Sequence, residues 1–181
     1  HRYIRRQRQM CIRDRDNIFC QHKLITEKFK IKKIALVLGW SMAGCQSYQW
    51  AAQYPDMVNA ILPFCASSKT SIHNYVFLEG VKAALITDKN WLKGKYKTQP
   101  INGLKAFGRV YAGWAFSQDF YRKKLFRKLG YKRVEDLLDD WAEDHAKNWD
   151  ANNLLCKLKT WQLNDISTVS YTHLRAHETS Q

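Results

Sequence analysis

The sequence predicts an α/β chain in which a short parallel sheet is followed by a long run of helices. Two observations carry this reading. Ile34-Ala35-Leu36-Val37-Leu38 is a strand-length run apolar on both faces, as in a buried parallel sheet, and Val58 to Phe64 is a second apolar strand, with a helical segment between them. From Thr70 onward the apolar positions instead recur at three- and four-residue spacing. A strand, helix and strand within about thirty residues form a unit that crosses over right-handed and pairs in parallel.

The elements follow in order. Leu24, Ile25 and Phe29 recur at near-helical spacing between Gln21 and Lys30, and Lys32 and Lys33 precede the first strand. Gly39 to Gly44 makes a turn. Cys45, Tyr48, Ala51 and Ala52 mark one side of a helix that Pro55 stops, and Val58 to Phe64 is the second strand. Thr70-Ser71 caps a helix carrying Phe77, Val81, Ala84 and Leu85. Gly103 to Ser117 gives another with its aromatics on one side, Asp119 to Leu129 ends at Gly130, Val134 to Lys147 follows, and Asp150 caps a last helix through Trp161. Five helices in a row predict a helical cap or lid over 71–167, after a core βαβ unit over 16–70. The spread of Trp91, Trp114, Trp141, Trp149 and Trp161 fits an aromatic lining of that cap.

Composition bounds the function. A chain of 181 residues that is 45% hydrophobic and 13% aromatic suits one globular domain. No window approaches the ~18 apolar residues of a membrane span, and the first residues lack the apolar stretch of a secretory signal, so a cytoplasmic setting is expected. Five cysteines (Cys11, Cys20, Cys45, Cys65, Cys156) at irregular spacing, with no C-x-x-C pair, indicate neither a disulfide framework nor a zinc site. Reduced, mostly buried thiols are expected, and no metal.

The net charge of +14 would point to nucleic acid if it were spread over a binding face. However, the first fifteen residues, HRYIRRQRQMCIRDR, hold six arginines against one aspartate, which accounts for +5 and leaves +9 for the rest. RQRQMCIRDR and the tail segment VSYTHLRAHET resemble translated adapter or vector read-through. Residues 1–15 and 168–181 are therefore expected to be non-native and unpacked, flanking an internal piece of a protein over 16–167. Lys123, Lys124, Arg127 and Lys128 read as a solvated face. The partners expected are small-molecule substrates, without nucleic acid or membrane, in a homodimer.

The motif that carries chemistry is Gly39-Trp40-Ser41-Met42-Ala43-Gly44. It has the form of a nucleophile elbow, G-x-S-x-G, with alanine in the last position. A sharp strand-to-helix turn holds the serine in a strained conformation with its Oγ exposed, and the residues two before and two after must be small because the chains crowd there. Ser41 is the expected nucleophile of an α/β-hydrolase fold, and the N–H of Met42, at the positive end of the following helix, the expected oxyanion donor. Such a donor is worth on the order of 100 to 1,000-fold in rate.

Other polar residues read as structural. His22 and His145 lie on polar helix faces, and Asp139, Asp140, Glu143 and Asp144 beside Lys147 form a hydrated acidic face rather than a metal site. Ser67, Ser68 and Ser71 belong to a loop with capping chemistry. His73, soon after the second strand, is the remaining candidate to approach the pocket.

The stretch LVLGWSMAGCQSYQWAAQYPDMV is similar to the elbow region of homoserine O-acetyltransferases, through Gly39, Ser41, Met42, Gly44, Gln46, Trp50, Ala51, Tyr54 and Pro55. The likeness extends to Gln21, Leu24, Ser67, Lys69-Thr70-Ser71, Asn74, Gly103-Leu104, Arg109 and Asp150-Ala151-Asn152. It implies an acyl-enzyme mechanism: acetyl passes from acetyl-CoA to Ser41, then to the hydroxyl of homoserine, with no bound cofactor. It also implies that Arg109 holds the acceptor carboxylate. Seven residues on, where that family has tyrosine, this chain has Phe116, two helical turns away on the expected face; Trp40 replaces a glycine. In this fold the catalytic acid and histidine follow the lid. Asp165 is too close to the lid for that acid, and His173 and His177 fall in the adapter-like tail. A serine esterase or thioesterase on the same fold, or a non-catalytic binding protein, are the alternatives.

Overall fold

A computed structural model describes residues 13–168. Cys11, His173, His177 and most of both adapter-like ends lie outside them. Two compact units emerge among the described residues: 13–72 together with 159–168, and 73–158.

In the first unit, α1 (Asp14–Lys23) begins where the Asp16 carboxylate accepts the Arg13 N–H at 3.1 Å. It widens into a π-turn over Leu24–Lys28, where the Phe29 N–H reaches back to the Leu24 carbonyl and the Thr26 hydroxyl donates to the His22 carbonyl at 2.7 Å. The helix expected from Gln21 thus starts at Asp14. This corrects the expectation that all of residues 1–15 are unpacked, because Asp14 is buried at 2% exposure.

Strand β1 (Val37–Trp40) pairs in parallel with β2 (Ile61–Phe64), in the register Val37 to Ile61 and Trp40 to Phe64. Ile34 and Val58 make only an isolated parallel bridge, so both strands begin later than their apolar runs. Helix α2 (Met42–Gln53) crosses between them and stops where Tyr54 N–H bonds the Trp50 carbonyl ahead of Pro55. One face of the sheet is covered: Val37 packs with the buried Ile18, Trp50 and Met57. Leu36, Leu38, Trp40, Leu62 and Phe64 are exposed on the other, so burial on both faces holds for one face alone among the described residues. Trp50 Nε1 donates to Gln21 Oε1 at 2.9 Å, and Gln21 Nε2 donates to Gln46 Oε1 at 3.1 Å, which ties α1 to α2 through satisfied amides.

The lid boundary expected at residue 167 falls earlier. Thr70 N–H bonds the Asn164 carbonyl at 3.0 Å, Ile166 N–H bonds the Ser68 carbonyl at 3.1 Å, and Lys69 pairs with Asp165 at 2.8 Å. Residues 159–168 therefore belong with the sheet.

The second unit is built from α3 (Ile72–Ile86) from its second residue, α4 (Ile101–Ala115), α5 (Gln118–Arg122), α6 (Val134–Asn148) and α7 (Ala151–Gln162) as far as Leu158. The single helix expected over 119–129 is broken in two. Lys124 takes a left-handed conformation (φ 52°), after which a 3₁₀ turn, Leu125–Leu129, runs to Gly130 at φ 96°. Asp150 caps α7 as expected: one oxygen accepts the Asn153 N–H at 2.9 Å, the other the Tyr96 hydroxyl and the Gln99 amide. Of the described cysteines Cys45 is buried, Cys156 half-buried, and Cys20 and Cys65 exposed, so the expectation of mostly buried thiols is corrected. No helix among the described residues is long and apolar enough to cross a membrane.

Desolvation pushes the buried Asp14 carboxyl up to about 6, and neither of its oxygens has a hydrogen-bond partner meeting normal geometry among the described residues. Its folded pKa exceeds the unfolded value, so it destabilises the fold once pH rises through that interval, by about 3 kcal/mol above pH 6. Asp14→Asn is expected to raise the stability measured by urea denaturation at pH 7, with the gain vanishing below about pH 4.

Candidate active site

The elbow is assembled by close backbone approach. A Cβ on Gly39 would lie 2.1 Å from the Ala43 carbonyl oxygen, and one on Gly44 would lie 2.5 Å from Ala66 Cβ. The two positions that cannot carry a side chain are thus 39 and 44. Ala43 is exposed, which explains why alanine is accommodated two residues after the serine. The crowding expected at that position falls instead one residue later.

Ser41 joins β1 to α2 with φ 54° and ψ −123°, a conformation that favours glycine. Its own N–H bonds the Phe64 carbonyl at 2.9 Å, and its carbonyl accepts the Cys45 N–H at 3.1 Å, closing the first turn of α2. Met42 is the first helical residue, so its N–H has no carbonyl one turn back and lies at the positive end of the helix. This is the geometry the motif predicts. Ser41 Oγ makes no hydrogen bond among the described residues. Trp40 and Phe64, both exposed, stand beside Ser41 at the ends of the two strands, with ring centroids 6.4 Å apart.

The other sequence candidates each contact neighbours within their own unit. His22 stacks on Tyr54 at 3.8 Å, nearly parallel, and is half-buried. His73 is exposed, with its ring 5.4 Å from Trp114 in the helical unit. Asp165 is held below the usual carboxylate range by Lys69 and Ser167. His145, expected on a polar face, is buried instead: its ring lies against Phe107, Tyr111, Trp141 and Trp149, and Nδ1 donates to the Trp141 carbonyl at 2.7 Å. The signal missed was Gly108. A Cβ there would strike the Trp141 carbonyl oxygen at 2.5 Å, so α4 and α6 approach closely at that point and enclose the imidazole.

Arg109 pairs with Asp139, and one turn earlier on α4 Lys105 pairs with Glu143 at 2.5 Å. These are successive rungs between antiparallel helices, on an acidic face that is exposed as expected. Asp140 accepts the Tyr131 hydroxyl, and Asp144 accepts from Asn148 and Trp149. No group of three or more potential metal ligands occurs among the described residues. Phe116 does not share a helix face with Arg109. It follows the end of α4 in extended backbone (φ −115°, ψ 150°) and stacks on Phe120 at 4.2 Å, against Trp141.

No protein-family model matches the chain. It is similar to an ethyl acetate hydrolase from Pseudomonas veronii, 31% identical over 158 residues that cover 86% of this chain and 45% of that protein. A homoserine O-acetyltransferase from Desulfotalea psychrophila is 30% identical over 157 residues, covering 80% of this chain and 40% of the other. Among solved structures, the acetyl esterase MekB superposes with a TM-score of 0.84 at 31% identity, over 87% of this chain and 46% of that one. The chain thus spans about half the length, or less, of the relatives it matches. Both acetyl esterases and homoserine O-acetyltransferases are its homologues, and the likeness supports the α/β-hydrolase fold expected from the elbow.

Because positive φ costs a non-glycine residue about 1–3 kcal/mol, Ser41→Gly is expected to raise the thermal midpoint while removing the hydroxyl. Ser41→Val, with a β-branched side chain at the same φ, is expected to lower it; calorimetry of the two variants reads both signs.

Proposed function

We propose that the protein is a serine esterase acting on short acyl esters through an acyl-Ser41 intermediate that water resolves. The observation that carries the covalent chemistry is the backbone of Ser41: a strained strand-to-helix residue followed by an unpaired helical N–H. Attack of Ser41 Oγ on the ester carbonyl forms the acyl-oxygen bond and expels the alcohol. The Met42 N–H steadies the oxyanion, and water then releases the carboxylate. The acid and histidine of the triad are supplied by sequence other than the described residues.

The surroundings of Arg109 support water as the acceptor. A transferase needs a group that holds its acceptor, and the resemblance nominates Arg109 for the acceptor carboxylate. Here its guanidinium is a rung of the α4–α6 ladder, and Phe116 is engaged in an aromatic stack elsewhere. Hydrolysis needs no acceptor anchor. The second reading, acetyl transfer from acetyl-CoA to a hydroxyl acceptor, is favoured by the G-W-S-M-A-G-C-Q elbow, whose Met42, Gly44 and Gln46 match the transferase pattern.

The test uses the protein at the full length its gene encodes. Steady release of acetate from a short acetyl ester is expected without any amino-acid acceptor, and Ser41→Ala should lower turnover by roughly 10⁵–10⁶. Arg109→Ala should change hydrolytic kcat/KM by less than about twofold, since an exposed ion pair is worth only ~0–1 kcal/mol. Acetate release that depends on a hydroxy amino acid, with a sharply raised acceptor KM in Arg109→Ala, would establish the transferase instead.

A further inference from the structure

The sequence Lys28-Phe29-Lys30-Ile31-Lys32-Lys33 alternates cations with apolar side chains, and every residue in it is exposed. Phe29 is 58% and Ile31 42% exposed, and Leu24, whose carbonyl accepts the Phe29 N–H, is 50% exposed. The charges are largely uncommitted. Lys33 donates to the Asp56 backbone carbonyl, while Lys28, Lys30 and Lys32 make no ion pair among the described residues. Glu27, the neighbouring acid, is already paired with Lys23 at 2.8 Å. A shallow, open depression lies beside them, lined by Lys30, Ile31 and Lys32 together with His22, Thr26, Met57 and the acidic Asp56.

We infer that residues 24–33 form a docking patch for a membrane surface rich in anionic lipid. Apolar side chains exposed between lysines gain free energy at the headgroup boundary, where the hydrocarbon leaves water while each ammonium meets a phosphate or carboxylate. Each cation near an anionic leaflet contributes roughly fivefold in partitioning, and three together roughly a hundredfold. The depression leaves room for a headgroup beside Lys30 and Lys32. Nucleic acid is the less suitable polyanion, because Phe29 is the one stacking face in the patch, while Leu24 and Ile31 are aliphatic and gain more from hydrocarbon. No membrane span is required, so the patch goes beyond the sequence expectation of no membrane partner.

Its place in the fold keeps it separate from the elbow. The Ile34–Val58 bridge lies at the entry end of the sheet and Ser41 at the exit end, seven residues along the chain, or at most about 23 Å. Adsorption through residues 24–33 leaves Ser41 on the far end, and the inference stands whether Ser41 hydrolyses esters or transfers acyl groups.

The experiment is co-sedimentation of the full chain with phosphatidylcholine vesicles, with and without about one-third phosphatidylserine. The triple variant K28Q/K30Q/K32Q and the double variant F29S/I31S are compared in the same chain, so that the arginine-rich first residues contribute equally throughout. Partitioning onto the anionic vesicles is expected to fall roughly a hundredfold in the triple variant, and in the parent when salt is raised to about 0.5 M. The double variant should lose at least tenfold with its charge unchanged, and circular dichroism should show both variants folded. Equal sedimentation of parent and triple variant would overturn the proposal. So would an unchanged double variant, or tighter binding by the parent to a short DNA duplex than to the vesicles.

Discussion

The backbone of Gly39 runs so close to the first turn of α2 that an added Cβ would sit 2.1 Å from the Ala43 oxygen and 2.6 Å from the Gly44 nitrogen. The same helix turn leaves no room at Gly44 for anything larger, because Ala66 already occupies the space. Strand, helix and the segment after β2 therefore meet backbone to backbone at one point. Two consequences follow from that contact. Helix α2 must start immediately after β1, and the residue between them must absorb the change of direction, so Ser41 is driven to positive φ.

Strain at one residue persists only if the surroundings over-determine it. Here the restraint comes from both sides. The Ser41 N–H is tied to β2 through the Phe64 carbonyl, and α2 is anchored at its far end by Trp50, packed with Ile18 and Met57 and hydrogen-bonded to Gln21. Burying a side chain the size of Trp50 stabilises by a few kcal/mol, the same order as the cost at Ser41. Because Gln21 bonds both Trp50 and Gln46, rotation of α2 about its axis would break two hydrogen bonds at once. The direction of the Met42 N–H is thereby fixed, as electrostatic stabilisation of an oxyanion requires.

The elbow was legible in the sequence because its cause is local: glycines at fixed offsets from a serine, between an apolar strand and a helix. The parallel pairing of β1 and β2 was legible for the same reason. What escaped the sequence depended on partners distant in the chain. The apolar run from Ile34 reads as one strand, yet its pairing is interrupted until Val37. His145 reads as a polar-face residue until Gly108 brings α4 against α6, and the spacing of the exposed Asp139 and Glu143 does not reveal Arg109 and Lys105 as their partners. The break at Lys124 had no sequence signal, since lysine is not a residue that favours the left-handed conformation. Asp14 was missed because its burial lies within a segment whose composition reads as foreign.

The ladder between α4 and α6 also bears on how an acyl-enzyme on this scaffold would divide between water and a second alcohol. Water is present at high concentration and needs no binding site, so a transferase must both exclude it and hold its acceptor in attacking geometry. Holding an amino-acid acceptor calls for a cation whose fork is free when the substrate arrives. With Asp139 already on Arg109, an arriving carboxylate would replace one ion pair by another, and the net gain would be the small difference between two similar contacts rather than the full value of a new one. Lys105, the next cation along that face, is taken by Glu143 in the same way. Two ion pairs one turn apart on α4 thus tie it to α6 within the helical unit.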